Sequence, residues 1–280
     1  MKIIRVFPRR TSCTPDDDNV RINCAPDMFD EADEVHISVS WTYDLKRAEE
    51  LERQWRHVAS VKIGGCATGQ REEEFVPGMY LKKGCVITSR GCPNRCWFCS
   101  VWRNNGDIRE IEIEDGYNVL DSNLLASSEA HIRAVFAMLK RQKERALFTG
   151  GLEAKRLKPW HCELLVDLKP ERTFFAYDTP DDRGPFQDAM KMLKAHGFKG
   201  RVHCYALCGY KGDTFDAAER RFREIWAAGA MPCAMLYRDA EGRTDTIWCK
   251  FQRQFARPAI AQSILTGKSE VLLDMKGRTR

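Results

Sequence analysis

The sequence predicts an α/β fold, a partial (β/α)6 barrel preceded by a small βαβ-like N-terminal segment. Three observations carry this expectation. From residue 84 onward, short runs rich in β-branched and aromatic residues alternate six times with stretches of helical period. Such alternation implies parallel strands joined by helical crossovers, and six units are too few to close an eight-fold barrel. Five stretches (the GCPNRCWFC loop, TGGLE, YDTPDD, CGYKGD and LYRD) each follow a strand and would converge on the carboxyl rim, where barrels of this type hold their sites.

The elements follow in order. Pro8, Pro15, Pro26 and the acidic run Asp16–Asp18 read the first thirty residues as an irregular arm. EVHISVSW then predicts a strand, DLKRAEELERQW a charged helix and SVKIGG a second strand. No GxGxxG or GxxxxGK[ST] pattern surrounds Gly64–Gly65, which reads as a tight turn and not as a phosphate cradle. In the barrel, GCVITS is the first strand and NVLDSNLLA the second. A helix follows Ser127–Ser128, with Ile132, Val135, Phe136 and Leu139 on one face and serine as its cap.

Strand ALFTGG, helix PWHCELLVDL and strand TFFAYDT come next. They lead to helix PFQDAMKMLKAHG, in which Phe186, Ala189, Met190 and Leu193 share a face and Gly197 supplies the stop. RVHCYALCGY, TFDAAERRFREIWAAG and PCAMLY complete the series, with a final helical stretch over 260–265. The chain thus divides into an arm and βαβ-like segment (1–80), a barrel (81–240) and a C-terminal helical extension and tail (241–280).

Composition excludes several classes. No run of about 18 apolar residues exists, and MKIIRVFPRR lacks a signal-peptide core, so a soluble, cytoplasmic protein with no membrane partner is expected. Lys plus Arg exceed Asp plus Glu by five (45 against 40), a milder bias than that of a dedicated nucleic-acid binder. KRQKER (140–145) and AERRFRE (218–224) read as solvated helix faces, and KGRTR (276–280) as a frayed tail. Twelve cysteines without a signal peptide argue against a disulfide scaffold. Those outside the 92–99 cluster read as reduced thiols, mostly buried, in a reducing and oxygen-poor setting.

Cys92, Cys96 and Cys99 are the chemical signal, and two readings compete for them. Structural zinc wants four ligands, commonly paired CxxC knuckles. Cys96–Cys99 is one such knuckle, but no second follows, and Cys85 sits at the start of a strand. An iron–sulfur cluster held by three cysteines leaves one iron without a protein ligand. An open position is what a metal site keeps when it must bind a small molecule.

The spacing C-x3-C-x2-C, with Phe98 before the last cysteine, after the first strand of a β/α array, resembles the radical S-adenosylmethionine (SAM) superfamily. HISVSWTYD, KIGGCATG, SRGCPNRCWFCSVW, NVLDSNLLA and FAYDTPDD are similar to a compact single-cluster family of bacteria and their phages. The resemblance implies a [4Fe-4S] cluster on Cys92, Cys96 and Cys99. SAM would chelate the open iron, and a 5′-deoxyadenosyl radical would be generated from it. An electron donor such as flavodoxin or ferredoxin is implied, with a nucleotide or a nucleic-acid base as the substrate class.

FTGGLE is similar to the family's GGE segment, although Leu152 intervenes before Glu153. Gly150 and Gly151 are then either SAM contacts or an ordinary turn. Asp121, Asn123, Tyr177 and Asp178 are candidates for ribose or substrate, or plain caps and turn formers. Tyr205, Cys208 and Gly209 resemble the strand that backs the adenine. Arg156 and Lys155 are anion ligands or solvated side chains. Trp97 and Trp102 would shield the cluster, and His36 and His203, on apolar strands, read as satisfied core histidines and not as ligands.

Cys13, Cys24 and Cys66 precede the motif, as second-cluster cysteines do in tRNA methylthiotransferases, but little chain follows residue 240 for their RNA-binding domain. Residues 34–65 resemble a shortened cobalamin domain without its cobalt-binding histidine loop, so no cobalamin is expected. The alternative class is a non-enzymatic iron–sulfur or zinc protein with a structural, redox or sensing role.

Overall fold

Two parallel sheets organise the chain in the computed structural model, which describes residues 1–71, 75–239 and 242–271. The first sheet contains β1 (Ile3–Phe7), β2 (Val20–Ile22), β3 (Glu34–Ser38) and β4 (Ser60–Gly64), in the spatial order β2-β1-β3-β4. Helix α1 (Leu45–Trp55) connects β3 to β4, so the expected βαβ unit is present. The irregular arm is not. IIRVF alternates its side chains across a central strand paired to β2 on one edge and β3 on the other. The prolines that suggested an arm lie outside β1, after its last residue.

The two faces of this sheet differ. Ile4, Val6, Val35 and Ile37 pack with Ala48, Leu51 and Trp55 of α1 in a small core. The alternate residues Arg5, His36 and Lys62 lie side by side in register on the opposite face. The turn at Gly64–Gly65 is borne out: Gly65 has φ +112°, and a Cβ there would stand 2.5 Å from the Val39 carbonyl oxygen.

The second sheet follows the predicted alternation closely. It begins with β5 (Cys85–Val86), β6 (Ser89–Arg90), α2 (Val101–Asn105), β7 (Arg109–Glu110) and β8 (Asn118–Val119). Then come α3 (Glu129–Lys140), β9 (Leu147–Phe148), α4 (Pro159–Leu168), β10 (Arg172–Ala176) and α5 (Arg183–Ala195). β11 (Arg201–Cys208), α6 (Phe215–Ala227), β12 (Met231–Leu236), α7 (Thr246–Ala256) and α8 (Pro258–Leu265) complete it. Strands β5-β8-β9-β10-β11-β12 stand in strictly sequential order, all parallel, with β5 and β12 at the edges. β6 and β7 form a separate antiparallel pair.

Phe136, Phe148, Phe175, Phe186 and Phe222 are fully buried where the helices cover this sheet. As expected, the Ser128 hydroxyl caps α3 by accepting from the His131 amide at 3.2 Å, and Gly197 after α5 takes φ +78°.

Three expectations need correction. AERRFRE is not wholly a solvated face: Arg221 is buried, bonded to Asp213 and to the Leu207 carbonyl. The C-terminal extension contains two helices, because Trp248, Phe251 and Phe255 set an apolar face for α7 ahead of the anticipated stretch. Cys162, Cys204 and Cys208 are buried free thiols, but Cys24 and Cys66 are exposed. The KGRTR tail lies outside the described residues. Among the described residues no helix is long and apolar enough to cross a membrane.

Candidate metal centre

The cysteine loop is closed at its neck. Gly91 has φ +86°, and a Cβ there would stand 2.2 Å from the Asp107 carbonyl oxygen, so only glycine lets the two ends approach. The Cys92 amide donates to the Gly106 carbonyl at 3.0 Å across this neck. Inside the loop, Cys99 N–H donates to Cys96 O at 3.2 Å and Trp102 Nε1 to Cys96 O at 2.9 Å. Arg103 holds the Trp97 carbonyl at 3.0 Å. Trp97 reaches across the rim to Tyr210 and Tyr237, with ring centroids 5.6 and 5.5 Å away, just beyond the ends of β11 and β12. The loop therefore spans the sheet from its first strand to its last two.

All three motif cysteines are partly exposed. Burial pushes the Cys96 thiol up, and its neighbours Cys99, Cys92, Asp182 and Asp178 add to the effect. Burial also raises Cys99, against a lowering by the Val101 amide. Arg103 acts against this at Cys99 only as the weakest cause, so Cys96 and Cys99 are held as thiols that a metal would have to deprotonate on binding. Among the described residues no three His, Cys, Asp or Glu side chains converge as they would around a single ion. The thiolates of a four-iron cluster each take a different iron and need no such convergence. The donor set, three thiols on one clamped loop, fits a cluster.

Next to the loop, a polar chain crosses the ends of β8 and β9. Asn123 Nδ2 donates to Cys92 Sγ at 3.3 Å and to Glu153 Oε2 at 2.7 Å, and Arg156 Nε donates to the same Glu153 oxygen at 2.7 Å. Asn123 Oδ1 is buried and has no partner among the described residues. An amide N–H on a ligating sulfur is the type of contact by which proteins tune cluster potential. Lys155 approaches Asp182 at 3.5 Å.

Asp178, beyond β10, accepts from the Leu207 amide at 2.9 Å. Burial pushes its carboxyl up to about 7, with Asp182 adding to the shift. The folded state thus holds a proton that the unfolded chain releases near its ordinary carboxylate range. Stability should fall as pH rises from about 4 and level off once Asp178 itself ionises above about 7. In the metal-free protein, Asp178→Asn keeps the acceptor for Leu207. Its melting temperature should match wild type near pH 4 and exceed it at pH 8. Parallel melting curves for the two proteins across this range would contradict that.

The other expected site residues separate into two groups. Gly151 has φ +92°, and a Cβ there would meet only the Phe174 carbonyl oxygen, at an ordinary contact distance of 3.8 Å, so the positive φ and not crowding is what asks for glycine. Phe98 lies within the loop, edge-on to Trp97. Tyr205 faces away from the helices, donating to the Thr149 carbonyl at 3.0 Å and stacking on Phe174. Gly150, in contrast, is pressed on the Asp121 carbonyl oxygen, 2.3 Å from its would-be Cβ, so it serves the β8–β9 contact.

Asp121 is 1% exposed and accepts from Thr88 N, Thr88 Oγ1 and Ser89 Oγ at 2.6, 2.7 and 2.6 Å. It anchors the strand that feeds the cysteine loop. Tyr177 belongs to the helix-side core and donates to Glu224 Oε2 at 2.7 Å. Cys208 is likewise buried on the helix side, and Gly209 packs on Trp248 of α7. His36 is satisfied by Tyr80 and Glu34, but it stands on the polar face of the first sheet beside Arg5 and Lys62 and not in the core, because β3 turns Val35 and Ile37 to α1 instead.

Of the three cysteines that precede the motif, Cys13 lies beside Cys85, where Asn118 Nδ2 stands 3.8 Å from both sulfurs; Cys66 instead bonds the Ser40 carbonyl. Sequence reasoning placed YDTPDD, CGYKGD and LYRD on the rim but did not single out Asp182, Tyr210 and Tyr237 within them, whose approach to the loop is a property of the fold. No protein-family model matches the chain, and no curated protein matches it significantly.

Proposed function

We propose that this chain is a radical SAM enzyme built on an open, partial (β/α)6 barrel. The single observation that carries the reading is the set of three cysteines, and only three, on a neck-clamped loop after the first strand of a sequential parallel sheet, with Asn123 linking Cys92 to Glu153. Cys92, Cys96 and Cys99 would hold a [4Fe-4S] cluster. When bound, that cluster supplies the electron that cleaves SAM to methionine and a 5′-deoxyadenosyl radical.

The chain's own residues have distinct tasks. Glu153, oriented by Asn123 and Arg156, offers a carboxylate to the SAM ammonium group. Gly151 leaves the backbone open to close approach. Asn123 Oδ1, buried without a partner, is an acceptor awaiting a donor. Trp97, seated on Tyr210 and Tyr237, narrows water access over the rim. Asp178 carries a proton near neutrality beside the cysteines. A flavodoxin- or ferredoxin-type donor would reduce the centre.

The test is anaerobic reconstitution with iron and sulfide, reduction by dithionite, addition of SAM, and mass spectrometry for 5′-deoxyadenosine. Wild type should form it and Cys96→Ala should not. A cluster that assembles but whose EPR signal SAM leaves unchanged, with no 5′-deoxyadenosine, would replace the enzyme by the redox or sensing protein.

A further inference from the structure

The connection from β1 to β2 does not stay with its own sheet. It carries Cys13 to the second sheet, where its sulfur meets that of Cys85 on β5. Cys85 is buried and Cys13 is partly exposed. Main-chain bonds fix both partners. Thr11 and Thr14 close a turn around Cys13: the Cys13 amide donates to Thr11 Oγ1 at 3.2 Å, and the Thr11 amide to Thr14 Oγ1 at 2.8 Å. The Lys82 amide donates to the Cys13 carbonyl at 2.9 Å, and the Cys85 amide to the Lys82 carbonyl at 3.1 Å. Lys82 thus ties the two cysteines to each other through the backbone.

A third side chain addresses both sulfurs. Asn118 stands opposite Cys85 in the β5–β8 register, while Val86 and Val119 turn to the helix-side core. Its Oδ1 accepts from Thr149 Oγ1 at 2.7 Å, which leaves Nδ2 for the sulfurs, 3.8 Å from each. Thr149 is held in turn, because its carbonyl accepts from the Tyr205 hydroxyl at 3.0 Å. A buried amide N–H aimed at sulfur favours a sulfur that carries negative charge. This is more than two apolar thiols in contact.

The two thiols are unequal. A hydrogen bond from Cys85 draws Cys13 below the ordinary thiol range, against the opposing effect of burial, and the Ser12 hydroxyl and the Lys82 charge act in the same sense as Cys85. The same contact pushes the Cys85 thiol up, and burial adds to it. One sulfur therefore reaches solvent and is inclined to be a thiolate. The other is buried and keeps its proton. Thiol–disulfide exchange needs this division of labour: an accessible attacking thiolate, with a second thiol behind it to resolve the mixed disulfide.

We propose that Cys13 and Cys85 form a redox-active dithiol that exchanges with low-molecular-weight disulfides of the glutathione class. The Cys13 thiolate attacks one sulfur of the small disulfide and expels the other as a thiolate, which takes the proton that Cys85 gives up. Cys85 then attacks the Cys13 sulfur, and the second small thiolate leaves and is protonated by water. The cysteine pair is oxidised by two electrons and the small disulfide is reduced to two thiols. The new bond joins the β1–β2 connection to the first strand of the second sheet. In a reducing compartment it forms only when the small-thiol pool is oxidised. The proposal does not rest on the enzyme reading above.

The test equilibrates the reduced full chain anaerobically with reduced and oxidised glutathione in varied ratio. Samples are quenched with acid, alkylated and mapped by mass spectrometry of their peptides. A peptide linked through Cys13 and Cys85 should appear in wild type as the glutathione is oxidised, and dithiothreitol should remove it. Cys96→Ala should form the same link, since the motif thiols take no part. In Cys85→Ala, Cys13 should instead carry glutathione, about tenfold or more above its level in wild type, because nothing resolves the mixed disulfide. The exposed Cys24 should carry glutathione equally in both proteins. Absence of the Cys13–Cys85 peptide at every glutathione ratio, a Cys13 linked to another cysteine in its place, or equal glutathione on Cys13 in wild type and Cys85→Ala would each overturn the proposal. The wild-type map alone decides the matter if Cys85→Ala folds poorly by circular dichroism.

Discussion

Asp121→Ala should abolish assembly of the proposed iron–sulfur centre and cost roughly 3 kcal/mol or more of folding stability. The carboxylate is buried at the end of β8, where it accepts from the Thr88 amide and from the Thr88 and Ser89 hydroxyls. Thr88 and Ser89 are themselves fully buried, and His131 Nε2 contacts the Thr88 hydroxyl at 3.2 Å. Alanine removes the two oxygens that accept these three hydrogen bonds and leaves an amide and a hydroxyl without water or partner. Thr88 and Ser89 lead into β6 and its pairing with β7 just before Gly91, so their release loosens the neck of the cysteine loop. Asp121→Asn retains the acceptor for the Thr88 amide and should keep much of the stability. The readouts are the denaturant midpoint and the iron bound per chain after reconstitution. Normal iron loading in the alanine variant would show that the loop positions itself without this anchor.

How much of this was legible in the sequence depends on how local each cause is. Helices α3 and α5 were readable because Ile132, Val135, Phe136 and Leu139, and Phe186, Ala189 and Leu193, announce their buried faces within a few turns. That the main sheet is parallel with helical crossovers followed from alternation, but its sequential order did not, since a doubly wound sheet alternates in the same way. β1 was not readable: its short IIRVF run is followed by prolines and acids, and its pairing partner His36 lies some thirty residues beyond Arg5. The site divides the same way. Three cysteines at fixed spacing are visible on the page of the sequence. That Asp121 braces Thr88 from 33 residues away, or that Asn123 joins Cys92 to Glu153, is a property of strand ends brought together. Gly150 and Gly151 looked alike as a pair, yet only the fold tells the one pressed on the Asp121 carbonyl from the one whose Cβ would make no more than an ordinary contact.

The same distinction governs Arg221, which by its neighbours in sequence belongs to a charged surface and by its partners belongs to the interior. Its guanidinium donates to Asp213 at 3.1 and 2.8 Å and to the Leu207 carbonyl at 2.7 Å, and it lies 5.5 Å over the Tyr210 ring. Asp213 also accepts from the Gly209 amide at 3.0 Å, so one carboxylate fixes the turn after β11. Side-chain exposure is 5% for the arginine and 1% for the aspartate.

Asp213→Ala leaves a buried, uncompensated cation and should cost about 3–5 kcal/mol. Adding Arg221→Met removes the stranded charge and should recover most of that loss, because a buried pair is worth little more than an apolar substitute. The chemical consequence differs from the thermodynamic one. Tyr210 rides on this turn and is one of the two rings on which Trp97 docks, so the double variant should fold well but release iron to a chelator faster than wild type. Denaturation curves for the three proteins, with chelation kinetics on the reconstituted forms, separate the two effects. A single variant that loses less than about 1 kcal/mol, or a double variant no more stable than the single, would mean the pair is solvated and the turn is held by its backbone alone.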